Sequence, residues 1–115
     1  MHFKEPKNND KISWTKHSFE KMKHYSLSPQ RVIRIMRHPE RCEEAVAEGC
    51  VAAMQSLGQK SKTEIWMMYK EVQRNGKPHR KIITAWRYPG VSKVRDRVPI
   101  PAEIEDEISN IINQK

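Results

Sequence analysis

The feature that most constrains this chain is Asn75-Gly76, set between two apolar, aromatic-rich runs. Both central residues of a type I′ turn need positive φ, which asparagine and glycine tolerate best, so this dipeptide predicts a tight β-hairpin. Its arms read as strands over Glu64–Val72 and Arg80–Tyr88. Alternation puts Ile82, Thr84, Trp86 and Tyr88 on one face of the second arm, and Ile83, Ala85 and Arg87 on the other. Pro89-Gly90 closes it. A hairpin alone is marginal in water, so these strands need neighbours. Upstream, 41–48 and 50–55 read either as helix, by alanine content, or as two short strands hinged near Gly49. The need for partners favours strands.

The segments before and after the sheet read as helices. A first helix over Thr15–Tyr25 gathers Trp14, Phe19, Met22 and Tyr25 on one side, with His17, Lys21 and His24 along the edge of that stripe. Ser28-Pro29 starts a second helix, a hydroxyl at the N-cap followed by proline at the first position. It runs to Arg37 with Val32, Ile33 and Met36 as its buried face, and with Arg31, Arg34, Arg37 and His38 opposite. Pro101 opens a terminal helix whose stripe is Ile104, Ile108, Ile111 and Ile112. Its first turns hold Glu103, Glu105, Asp106 and Glu107, where the helix dipole favours acids. The expected fold is α+β: two N-terminal helices on a four-stranded antiparallel sheet, plus a C-terminal amphipathic helix. Residues 1–13 read as a flexible lead, 14–98 as the domain, and 99–115 as the terminal helix, which serves as a dimerisation element if it packs on a second chain.

Charge narrows the partners. The chain has 115 residues and a formal net charge of +8. Residues 1–47 carry ten basic and six acidic side chains, residues 48–98 eleven and four, and residues 99–115 one and four. A basic body with an acidic final segment points to a polyanion such as RNA. The N-terminus has no apolar core of signal-peptide length and no window approaches a membrane span, so a cytosolic location and reduced thiols for Cys42 and Cys50 are expected.

No cofactor or metal is expected. The four glycines are isolated, so there is no phosphate-cradling loop. His17 and His24 lie two turns apart, and His2, His38 and His79 show no ligand spacing. Metal-free RNA cleavage remains. It needs a base for the 2′-hydroxyl, cations for the phosphoryl oxygens and an acid for the leaving 5′-oxygen. Histidine suits both proton roles. Lys21, Arg41 and Arg87 offer cations, Arg31 and Arg34 offer phosphate contacts, and Trp86 or Tyr88 offers a stacking platform. The competing reading makes Trp86 and Thr84 core and lets His17 brace its helix.

The run Trp14-Thr15, His17, Lys21-Met22, Tyr25 and Leu27-Ser28, followed by Arg31-Val32, Arg34, Pro39, Arg41 and Glu43-Glu44, resembles an uncharacterised family of small prokaryotic and phage domains grouped with RelE-like toxins. The runs 64–69 and 83–91 are similar to its later portion, so the likeness spans roughly residues 14–95. It implies the barnase–colicin–RelE type of fold, helices on a curved antiparallel sheet whose open face carries the site. His17 and Lys21 match its helix motif and Arg87 a basic position late in the sheet. The leading expectation is therefore a metal-independent endoribonuclease of toxin type, ribosome-associated or not. His17 is its acid or base, Lys21, Arg41 and Arg87 hold the phosphate, and Tyr25 or Tyr88 assists. The rival expectations are a non-catalytic nucleic-acid-binding module, and a toxin-like domain held by an acidic antitoxin protein.

Overall fold

The computed structural model describes residues 5–44, 49–57, 62–92 and 97–112, and in the last helix no side chains at 108, 109, 111 and 112. The elements are β1 (Ile12–Trp14), α1 (Lys16–Tyr25), α2 (Pro29–Arg37), β2 (Arg41–Glu44), β3 (Cys50–Ser56), β4 (Thr63–Arg74), β5 (Lys77–Pro89) and α3 (Ala102–Ile112). No described helix is long and apolar enough to cross a membrane.

Local signals set the helix ends. The Thr15 hydroxyl accepts from Ser18 N at 3.0 Å and caps α1, which stops at Ser26 in the left-handed region (φ 56°). The Ser28 hydroxyl caps α2, with Pro29 behind it. The β4–β5 hairpin turns through Asn75 (φ 54°) and Gly76 (φ 75°), as the dipeptide requires.

The class is α+β as expected, but the sheet is five-stranded and mixed, in the order β1-β5-β4-β3-β2. β1 pairs parallel with β5, Ile12 opposite Arg80 and Trp14 opposite Ile82. Residues 12 and 13 thus belong to the sheet rather than to a lead-in, and Trp14 is a strand residue. Three residues are too few to show a period, so this strand left no pattern to read. What holds it is long-range. Ile12 is buried in the core, and His79 reaches Asp10 O at 2.8 Å and Ser13 Oγ at 2.9 Å. The polar Asn8 and Asn9 serve it as well. Asn8 Oδ1 accepts from Trp14 N, and Asn9 Oδ1 from Lys11 N and Ile12 N. They cover amides that an open edge strand would offer to another chain.

Both faces of the sheet are covered. On the first, Met22, Leu27, Val32, Ile35 and Met36 pack on Ala53, Ile65, Met67, Tyr69, Ile82 and Ala85. Burying each such large side chain contributes about 1.5–3 kcal/mol. On α2 the deep residue is Ile35, while Ile33 is half-buried, because α2 is rotated slightly from the expected face. On the second face lie Cys50, Ala52, Met54, Trp66, Met68, Ile83 and Trp86, with Ile104 of α3 above them. A register shift beside Met68/Tyr69 leaves Ile83 without a partner on β4. It sends Ile82 to the first core and Ile83 to the second, the reverse of simple alternation. Of the expected α3 stripe, only Ile104 lies among the described side chains, and 45–48, Lys93 and Arg95 fall outside them.

Candidate functional site

The site forms along the outer edge of β5. β1 covers that edge only as far as Ile82, and α1 then takes over. Thr15 N donates to Ile82 O at 3.1 Å, and the Thr15 hydroxyl donates to Ile83 O at 3.0 Å. Ten residues on, Arg87 Nε donates to Tyr25 O at 2.6 Å and Arg87 Nη2 to Ser26 O at 3.3 Å. The helix is therefore tied to the strand at both ends. Between the ties, His17 Nε2 meets Thr84 Oγ1 at 3.1 Å.

α3 closes the third side and runs antiparallel to α1. His17 Nδ1 lies 3.4 Å from Glu107 Oε2, and Lys21 Nζ lies 3.5 Å from Glu103 Oε1. The Tyr25 hydroxyl donates to that same Glu103 oxygen at 3.3 Å. The pairing follows from helix geometry. His17, Lys21 and Tyr25 repeat every four residues along α1, and Glu103 and Glu107 do so along α3. Both carboxylates are exposed at 56%, so the Lys21–Glu103 ion pair contributes little, about 0–1 kcal/mol.

Burial moves two protons in opposite directions. His17, 6% exposed, is held below its ordinary pKa of 6.5, chiefly by burial. Glu107 works against that shift and Lys21 with it. Tyr25 is held above 10.0, by burial first and then by Glu103. A neutral imidazole and a protonated phenol thus flank the Lys21 ammonium, the division of labour that acid–base catalysis uses. His17 thus turns Nε2 to the Thr84 hydroxyl and Nδ1 to the place Glu107 occupies.

The other expected residues lie apart from this strip or serve the frame. Arg87 closes the α1 C-terminus, donating to carbonyls there. Arg41 sits on β2, the opposite edge strand from the His17 side. It pairs with Glu43, donates to Ser92 Oγ at 2.6 Å and lies over the Trp66 ring, 5.2 Å from its centroid. Trp66 in turn stacks on Trp86, with centroids 5.9 Å apart and planes within 3°. Trp86 is fully buried, so the platform reading fails for this arrangement and the core reading holds. Glu64, buried beside them, accepts from Trp66 Nε1, Ser92 N and Ser92 Oγ. Tyr88 is half-buried against the same core. Arg34 is exposed and Arg31 half-buried on α2, which packs over β3 and β4 on the first face, away from α3. Among the described residues, no three His, Cys, Asp or Glu side chains converge as a metal site requires.

Glu103 and Glu107 escaped sequence reading as site residues. Their four-residue spacing, matched to that of His17, Lys21 and Tyr25, was the available signal. A separate open groove of ≈ 880 Å³ lies between the hairpin, α2 and the start of β1, with Lys11, Arg37, Lys77 and Arg80 among its lining residues. The chain matches no protein-family model, no curated protein and no solved structure at a significant level.

Proposed function

We propose that the protein is a metal-independent endoribonuclease of toxin type, with its site on the α1 strip. The observation that carries this reading is His17, a buried imidazole held neutral, seated on Thr84 and one helical turn from Lys21. His17 takes the 2′-hydroxyl proton, Lys21 receives the charge gathering on the phosphoryl oxygens, and Tyr25 supplies a proton to the leaving 5′-oxygen. Lys21 Nζ and the Tyr25 hydroxyl already converge on one anionic oxygen, that of Glu103, which stands in for a phosphate oxygen. Acid–base assistance of this kind contributes ~10²–10⁴-fold, and a positioned charge donor about 3–4 kcal/mol. The basic body supplies attraction to RNA, and the likeness of residues 14–95 to RelE-like domains points the same way. Arg41 and Arg87 hold the frame in this reading.

A second reading, a nucleic-acid-binding module without chemistry, is favoured by one observation. The guanidinium groups of Arg41 and Arg87 are engaged within the protein, which leaves Lys21 as the cation at the strip. Incubating structured RNA with the protein in EDTA, beside His17→Ala and Lys21→Met, separates the two. Scission that His17→Ala abolishes supports the nuclease. Salt-sensitive binding without scission, with and without ribosomes, replaces it by the module.

A further inference from the structure

The charge of α3 is opposite to that of the body it covers. Residues 99–115 carry four acids and one base, against an excess of bases in both preceding segments. Of the acids, Glu103 and Glu107 meet α1, while Glu105 and Asp106 are exposed and make no ion pair among the described residues. The two that face inward land on the groups the nuclease reading needs: Glu107 on His17, Glu103 on Lys21 and Tyr25. A carboxylate is the side chain closest to a phosphate in charge and in acceptor oxygens. The helix therefore presents anions where an RNA backbone would present its own.

Two further observations bear on what lies beneath. Trp86 Nε1 is buried under this helix with no acceptor among the described residues, a rare condition for an indole N–H. Its strand neighbour Thr84 is likewise fully buried. The cover's polar contacts with α1 are open to water on the α3 side. Ile104 is the one fully buried side chain described on α3, and the carboxylates that complete the contact are solvated. Such a contact can exchange with a competing anion, because the carboxylate partner of each pair is already in water.

We propose that α3 is an intramolecular competitor for RNA: Glu103 and Glu107 occupy the phosphodiester strip in cis, and RNA binds by displacing them. This rests on the endoribonuclease reading and adds its regulation. The resting protein is closed, and a substrate that offers several phosphates at once opens it.

The test uses the full chain as Glu103→Gln/Glu107→Gln, beside a control of equal charge change on the outer side of the same helix, Glu105→Gln/Asp106→Asn. Affinity for a labelled structured RNA and its cleavage in EDTA are measured for each, with hydrogen exchange of wild-type α3 amides with and without RNA. The inward pair should bind about ten-fold tighter and cleave correspondingly faster at low RNA, while the control gains less than about three-fold. In the wild type, RNA should raise exchange across α3. Equal gains in the two variants, or α3 amides that stay protected when RNA is bound, overturn the proposal. Wild-type cleavage with no gain in the inward pair overturns it too and leaves the nuclease standing. If wild type and inward variant neither bind nor cut RNA, both ideas fall together.

Discussion

The His17 imidazole and the Thr84 hydroxyl meet at 3.1 Å in the seam where α1 runs along β5, and both residues are buried. This contact makes one residue serve both packing and chemistry. Thr84 orients the ring, and the ring in turn satisfies a hydroxyl that has no route to water.

Thr84→Val keeps the shape and removes the partner, leaving a ring nitrogen buried and unmatched. Urea unfolding should show a loss of about 1–3 kcal/mol, and Thr84→Ser a smaller one. A Thr84→Val variant as stable as wild type would mean that the hydroxyl contributes nothing there.

Acid should weaken the protein through His17. Its folded pKa lies below 6.5, so in the window between the two values the unfolded chain binds more protons and stability rises with pH. The contribution is complete above 6.5 and is lost as pH falls through the folded value. His17→Gln removes this slope. Midpoints of wild type and variant that run parallel from pH 7.5 down to the acid side of that window would refute it.

The neighbours of His17 should move its titration in opposite directions. Burial lowers the pKa most, Glu107 raises it against that effect, and Lys21 lowers it further. Ring NMR should therefore find the pKa lower in Glu107→Gln and higher in Lys21→Met. No change in either variant would detach the strip from α3 in solution.

Arg87 should prove a frame residue. Arg87→Met gives up charged hydrogen bonds to Tyr25 O and Ser26 O, each of a kind that contributes about 1.5–3 kcal/mol. Denaturation should register that loss, while RNA cleavage below the transition stays within about three-fold of wild type. A collapse of cleavage at full folding would return Arg87 to the chemistry.

Both helix starts, the hairpin turn and the terminal helix were legible because their causes are local. Thr15 and Ser28 bond to amides three residues away, and Asn75-Gly76 needs only its own φ angles. His17 and Lys21 could be singled out from their place on the edge of an apolar stripe. Trp86 could not be resolved between platform and core, since a strand period names a face without naming what covers it.

The amino-acid order alone therefore determined where the helices and the hairpin lie, which side chains sit together on α1, and that the body is basic and the final segment acidic. Only the tertiary structure decided that α1 replaces β1 along β5, that one register shift exchanges Ile82 with Ile83, and that Glu103 and Glu107 close over His17 and Lys21. The division has a physical reason. Caps, turns and periods act within about a turn of chain, whereas His17 and Thr84 stand 67 residues apart and meet only when the sheet and its two covers have closed.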